Sequence, residues 1–247
     1  MNAGCFTDTA LQARFDEVMR SHVATDVTVV IAAKQEALSL PGVIDRVRPF
    51  ASTVIVAVGR STDGTADVAA SNGAIVLHDN GLGKGDALRC AIPKVQTPVT
   101  VFLDADGSHD PEDIPLLVAP ILADEADHVT ASRLRGGSSE LHGGFDEFFR
   151  LAGSSFITAC INWRWGCRLS DSQNGFRAVR TSVLKNLDLR ENTTTIEQEM
   201  IMKTLRGGWR MAEVPSHEHP RRHGQSHISV ARSAPRYVYS LVRYLFF

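Results

Sequence analysis

The sequence has little cysteine, little net charge and no long apolar run. Its four cysteines among 247 residues (Cys5, Cys90, Cys160 and Cys167) lack close metal-type spacing, so a reduced, cytoplasmic chain is the simplest reading. A net charge of −2 argues against nucleic acid as a partner. Asp8, Asp16 and Glu17 interrupt any apolar core of the kind a signal peptide needs. The segment from Pro235 to Phe247 is shorter than the roughly 20 residues that span a hydrocarbon core. A Walker A loop is missing, because Lys84 is followed by Gly85 rather than Ser or Thr, and there is no G-x-G-x-x-G fingerprint. Internal repeats and low-complexity tracts are absent too. The hydrophobic fraction, 43%, is ordinary and sufficient for a sizeable core in one large or two small domains.

What is present centres on Val99–Glu112, VTVFLDADGSHDPE. Val99–Leu103 reads as a buried strand. It runs into Asp104 and Asp106, which strand alternation would aim the same way. Two adjacent carboxylates repel unless a cation sits between them. Oxygen ligands suit Mg2+ or Mn2+, often completed by substrate phosphates. Asp110–Pro111–Glu112 then reads as a helix start with Asp110 as N-cap. The acidic pair therefore falls at the carboxyl end of a strand, where open α/β sheets bind ligands. By itself Asp-x-Asp is equally compatible with an ordinary polar loop.

In chain order, Leu11, Phe15 and Met19 have helical spacing and predict an amphipathic lead-in helix within residues 1–25. Val27–Ala33 is the first strand, followed by a helix to about Val47. Val54–Val58 is the second strand, with a Gly/Ser/Asp turn (GRSTDGT) and a helix over Asp67–Ser71. Ala74–Leu77 is a short third strand. In Gly81–Ile92, glycines around Lys84 suit a backbone that approaches a phosphate or ribose, or simply a Gly-rich helix start. Asp127–Ser132 is a fifth strand, ending at Arg133. This alternation predicts a mostly parallel sheet with helices on both faces. Its ligand edge would gather Glu36, Ser61, Asp63, Lys84, Asp104, Asp106 and Arg133.

The second half is less regular. Arg135–Gly144 reads as a mobile lid. Phe145–Trp165 is a long helix with Arg150 and Ser154 on one face. Asp171–Arg177 is a polar turn into a short strand. Thr194–Leu205 is a helix carrying Glu197 and Glu199, and Trp209–Val214 an edge strand. Arg221–Ile228 is a basic loop, and Ser229–Phe247 a terminal helix interrupted or started by Pro235. His109 reads as a loop residue or a base.

Several blocks stand in order: VVIAAKQEA, VAVGRSTDGT, GLGKGDALR, FLDADGSHDPEDIP, ASR, DSQNGFRA, AEVP and RRHGQSHI. On these the chain, from about Val27 to Ile228, resembles the inverting family 2 glycosyltransferases, and within them the polyprenyl-phosphate (dolichyl-phosphate) mannosyl- and glucosyltransferases. The resemblance implies a GT-A type α/β fold over residues 26–228. The nucleotide-binding half would be about 26–133, the acceptor half about 134–228, and 229–247 a C-terminal amphipathic helix. It implies a nucleoside-diphosphate sugar donor and Mg2+ or Mn2+ on Asp106, assisted by Asp104. Ser108 replaces a Gln and would be a weaker or water-mediated ligand. Glu36, Asp63, Lys84 and Gln173 would bind the donor. Asp171 and Arg177, with Asp106, would lie at the reacting centre. Arg133, Arg150, Ser154, Arg221, Arg222 and Ser226 would bind the acceptor phosphate.

Two departures stand out. Val58 replaces the Asp that usually reads the base, and Lys34–Gln35 lie in an altered first loop. A phosphate acceptor is already ionised near neutral pH (second pKa about 6), so it needs arginines to position it rather than a base. The C-terminal helix, with Arg232, Arg236 and Arg243 beside Tyr237, Leu241 and Leu245, suits either an anionic membrane surface or docking on the sheet. The resemblance implies a polyprenyl phosphate acceptor at the inner face of the membrane, with another anionic or soluble acceptor, or non-catalytic sugar-nucleotide binding, as the alternatives.

Overall fold

The computed structural model describes residues 25–139, 145–221 and 230–247. The lead-in helix expected around Leu11, Phe15 and Met19 lies outside the described residues, as do Arg222, Ser226 and most of the basic loop that carries them. The chain runs β1 (Val27–Ala33), α1 (Leu40–Val47), β2 (Thr53–Val58), α2 (Thr65–Ser71), β3 (Ile75–His78), α3 (Lys84–Ala91) and β4 (Val99–Asp104). There follow α4 (Ile114–Leu122), β5 (His128–Ser132), α5 (Arg133–Gly136), α6 (Phe145–Trp165), β6 (Arg177–Arg180), α7 (Thr181–Asn186), α8 (Ile196–Arg206), β7 (Met211–Pro215) and α9 (Val230–Phe246).

Strands β1 and β4 are buried along almost their whole length, as strands covered on both faces must be. Alternation sorts their side chains. Val29 and Ile31 join Val101 and Leu103 in one apolar cluster, under α1 and α4. Val30 and Phe102 join a second cluster on the opposite face, under α3, α7 and α8. Each fully buried aliphatic side chain contributes about 1.5–3 kcal/mol. A one-residue slip of either strand would exchange the two clusters, so the register is held from both sides.

The sheet has seven strands in the order β3-β2-β1-β4-β6-β5-β7. It is mostly parallel with helices on both faces, as the alternating pattern predicts. Only β6 is reversed, antiparallel to both β4 and β5. That reversal has a consequence for the site. Arg177, the first residue of β6, pairs with Phe102 near the end of β4, so the polar turn before β6 arrives at the carboxyl edge of the other strands. The exits of β1, β2, β4, β5 and β7 open on the same edge. The sequence pattern identified the turn and the strand but not the insertion between β4 and β5. Helix α7 was not anticipated; its Val183 and Leu184 close the second cluster.

The expected lid is partly braced. Residues 133–136 form α5, and Ser138 bridges to Glu218, with the Ser139 amide donating to the Glu218 carbonyl at 2.8 Å. Asp110 occupies the expected N-cap position but makes no capping hydrogen bond; it pairs with Arg46 instead. Pro235 lies inside α9 rather than starting it. Leu241, Tyr244 and Leu245 of α9 pack against Ile157 and Ile161 of α6 and Ile201 of α8. The docked face therefore meets helices, not the sheet, while Val238, Tyr239, Val242 and Phe246 remain exposed. No helix among the described residues is long and apolar enough to cross a membrane.

Candidate active site

Strand β4 ends at Asp104, and the next residues turn, with Gly107 at a φ of 75°. Asp106 is thus aimed by a turn rather than by strand alternation, and the two carboxylates have different partners. Asp104 faces the side of α3 and α8: Lys84 Nζ is 2.5 Å from its Oδ1, and His109 Nε2 is 3.6 Å from its Oδ2. Asp106 Oδ1 accepts from the Ser108 amide (3.0 Å) and hydroxyl (2.7 Å), and Arg221 lies 3.2 Å from its Oδ2. Both aspartates line one cavity of about 280 Å3.

Lys84 is a bridge. Its ammonium also lies 2.8 Å from Glu197 Oε1. Burial opposes its charge, but Asp104 and then Glu197 outweigh burial and push its pKa up. Burial likewise opposes ionisation of Asp104, and the Lys84 charge overcomes this, holding that carboxyl well below the usual range. Gly175 makes the approach feasible: a Cβ there would fall 2.6 Å from Lys84 Nζ and 2.8 Å from Asp104 Oδ2. The glycines preceding and following Lys84 let the chain pack closely on its own backbone: a Cβ at Gly83 would fall 2.7 Å from the Asn192 carbonyl oxygen, and one at Gly85 would meet the Glu191 carbonyl.

The turn before β6 is organised by Asp171. This carboxylate accepts from Arg133 Nε at 2.6 Å and from the Gln173 amide at 3.0 Å. Although burial works against ionisation, the Arg133 guanidinium keeps Asp171 below the ordinary carboxylate range. Arg133 also reaches Glu218 at 3.5 Å. Asp171, Arg133, Gln173, Arg150 and Ser154 all line the cavity, as do Ser108 and Lys84. Arg177, expected at the reacting centre, does not: it is 1% exposed, and its guanidinium donates to the main-chain carbonyls of Glu197 and Asn174. It ties the turn to α8 from within.

Glu36 and Asp63 also lie off the cavity lining. Ser39 donates to Glu36 Oε2 at 2.5 Å, and the Glu36 pKa is raised, first by burial and further by Asp106 and Asp104. Asp63 accepts from the amides of Ala37 and Thr65 at 3.0 and 3.1 Å, stapling the loops after β1 and β2. Gln35, at a φ of 59°, joins the same staple through its amide to Ser61 Oγ at 3.0 Å. Val58 is buried in the first cluster. The carboxylate beside that strand end is Asp79, 3.5 Å from where a Gly59 Cβ would stand.

Sequence reasoning left Glu197 and Tyr237 without a site role and His109 as either a loop residue or a base, and all three line the cavity. His109 stacks on Phe176 with ring centroids 5.3 Å apart. Glu197 was visible only as one of two acidic residues in a helix. Nothing in the sequence distinguished it from Glu199.

The opposite wall is apolar: Leu134, Leu151, Phe156, Ile157, Val238 and Leu241, from α5, α6 and α9. Among the described residues no three His, Cys, Asp or Glu gather as metal ligands. Asp106, Asp104 and Ser108 nevertheless offer hard oxygens that fit Mg2+ or Mn2+, with other positions left to phosphate oxygens and water. Arg221 already places a cation on Asp106.

The strand order and the acidic pair at the carboxyl edge give a GT-A-like α/β fold with a ligand site at the strand ends. The family model described as glycosyl transferase family 2 matches residues 28–188, and the chain belongs to that family. An uncharacterized glycosyltransferase of Mycobacterium tuberculosis is 32% identical over 206 residues, covering 82% of this chain and 89% of that one. The low-salt glycan biosynthesis hexosyltransferase Agl6 of Haloferax volcanii is 30% identical over 167 residues, 68% of this chain but only 40% of its own length. A dolichyl-phosphate hexose transferase of the same organism is 28% identical over 200 residues, covering 80% and 84% of the two chains. Among solved structures, glucosyl-3-phosphoglycerate synthase of M. tuberculosis, in complex with Mn2+, UDP and glucosyl-3-phosphoglycerate, superposes with a TM-score of 0.72. It is 21% identical, with coverage of 94% of this chain and 84% of that one, and this likeness concerns the fold.

Proposed function

We propose that the chain is an inverting hexosyltransferase that moves a sugar from a nucleoside-diphosphate donor to polyprenyl phosphate at the cytoplasmic face of a membrane. The observation that carries this reading is the make-up of one cavity. Its lining combines carboxylates, cations including Arg150, and Ser154 with the apolar side chains of α5, α6 and α9. The dolichyl-phosphate hexose transferase relative supports the acceptor, and the exposed Val238, Tyr239, Val242 and Phe246 beside Arg236 and Arg243 support peripheral membrane contact.

In this reading Asp106 holds Mg2+ or Mn2+, with Asp104 and Ser108 behind it. A metal there would supply positive charge to the leaving diphosphate. Arg221 adds a second cation at the same point. Arg150 orients an acceptor phosphate that is already ionised, so no general base is required. Asp171 positions Arg133 and the Gln173 turn. Lys84 neutralises Asp104 and keeps the strand end in place.

A soluble phosphorylated acceptor is the second reading. It is favoured by the fold-level likeness to glucosyl-3-phosphoglycerate synthase, which was solved with phosphoglyceric acid. A non-catalytic sugar-nucleotide-binding protein is a third, favoured by Val58 and Ser108. Transfer assays with polyprenyl phosphate and with a soluble phosphorylated acceptor separate the three, and calorimetric binding of GDP-mannose, UDP-glucose, GDP and UDP, with and without Mn2+, identifies the donor. We expect one donor to bind in a metal-dependent way, and Asp106→Ala to abolish both this and transfer while the fold persists. Unchanged turnover in Asp106→Ala would remove the metal role.

A further inference from the structure

Helix α8 opens with two buried glutamates whose oxygens are used differently. Glu199 is satisfied on both sides: the amides of Arg190 and Glu191 donate to its two oxygens at 2.8 Å, and Lys203 lies 2.8 Å from Oε1. Glu197, 4% exposed, uses Oε1 on Lys84, but its Oε2 is buried with no hydrogen-bond partner among the described residues. Gln173 is in a similar state. Its Nε2 donates to Ser172 Oγ at 2.8 Å, while its Oε1 is buried and without a partner among the described residues. Both residues line the same cavity.

Buried polar atoms without partners are rare and costly, and each calls for an explanation. Both atoms here are acceptors only, so a ligand that satisfies them must bring O–H or N–H groups. An ionised diphosphate and an ionised phosphate bring none. The hydroxyls of a sugar do. Lys84 and the buried Arg177 guanidinium, which interacts electrostatically with both Glu197 and Asp104, together set two positive charges against these two carboxylates. Lys84 also links Glu197 to Asp104, which sets Glu197 beside the acidic pair, and Gln173 lines the same cavity.

We propose that Glu197 Oε2, together with Gln173 Oε1, accepts hydrogen bonds from hydroxyls of the transferred hexose and so determines which sugar the site takes. The inference rests on the sugar-nucleotide reading of the cavity and adds to it a sugar-discriminating contact. A site built to hydrogen-bond a hydroxyl rejects an analogue lacking it much more strongly than an apolar pocket could.

The test uses the full chain with Mn2+ and measures calorimetric dissociation constants for UDP-glucose, GDP-mannose, UDP and GDP. It compares wild type, Glu197→Ala and Glu197→Gln, with folding checked by circular dichroism; if the alanine variant does not fold, the glutamine variant carries the comparison. We expect the sugar nucleotide that binds wild type to weaken about tenfold to a hundredfold in the variants, with the free nucleotide changed less than about twofold. In a series of monodeoxy analogues of that donor, one should be rejected by wild type and bound by the variants as well as its parent. Equal weakening of sugar nucleotide and free nucleotide would reduce Glu197 to a brace for Lys84 and overturn the proposal, as would unchanged sugar-nucleotide affinity. Wild type that binds none of the four would fail the sugar-nucleotide reading itself and take this inference with it. That result differs from a wild type that binds and a variant that is indifferent.

Discussion

The two flanks of Asp104–Asp106 are built on opposite principles. On the β1–β2 side, the loops close on themselves. Asp63 takes the amides of Ala37 and Thr65, Ser61 takes the Gln35 amide, and Glu36 takes the Ser39 hydroxyl. On the side of α6, α8, α9 and the turn before β6, Glu197 and Gln173 each hold an acceptor without a partner among the described residues, and apolar side chains line the cavity. The first flank is a cradle whose shape is set before any ligand arrives. The second pairs Glu197 with Lys84 but holds part of its hydrogen-bonding capacity in reserve. Preorganisation on one side and incomplete satisfaction on the other suit a site in which one part of the ligand is held by shape and another is read by its chemistry.

The strongest way to break this contrast is at the buried pair beneath the second flank. Asp171→Asn leaves Arg133 buried without its main counterion, and we expect a loss of about 3–5 kcal/mol in urea unfolding at neutral pH. The acid limb gives an independent reading. The folded pKa of Asp171 lies below its unfolded value of about 3.9. Its stabilisation is therefore full above that unfolded value and is lost as pH falls through the lowered folded one. Wild type should lose stability on acidification more steeply than Asp171→Asn, and parallel acid limbs would show that the pair contributes little.

A medium effect is expected at the cavity wall. Arg150→Gln should raise the KM for an anionic acceptor about tenfold or more while donor affinity stays unchanged. Equal loss of both would merge the two flanks into one binding surface. The smallest effect belongs to the self-closed flank. Asp63→Ala frees the amides of Ala37 and Thr65 and should cost about 1 kcal/mol. Amide exchange at those two positions should accelerate while the cavity's ligand affinity barely changes. If nucleotide affinity collapsed instead, Asp63 would belong to the binding surface after all.

Much of this was legible in the residues. Uninterrupted apolar runs at Val27–Ala33 and Val99–Leu103 announced strands buried on both faces, and the regular alternation with helices announced a mostly parallel sheet. The acidic pair, Arg150 and Ser154, and the DSQNGFR turn were each visible as chemistry at an expected edge. Roles that depend on a partner far along the chain were not. Lys84 was expected to bind the donor, and nothing in its own segment pointed to Asp104 and Glu197, which hold its ammonium at the cavity lining. Arg177 looked like a reacting-centre residue, yet it is sealed inside and binds carbonyls.

Local sequence determined the strands, the helices and the family, because periodicity, turn residues and ordered motifs are short-range properties of the chain. Only the tertiary structure decided which charges meet. The reversed β6 brings the Asp171 turn to the carboxyl edge and α8 follows it, so Glu197 reaches Lys84 across more than a hundred residues of sequence. No pattern in either segment encodes that meeting, since ion pairs and unsatisfied oxygens depend on distance in space rather than position along the chain.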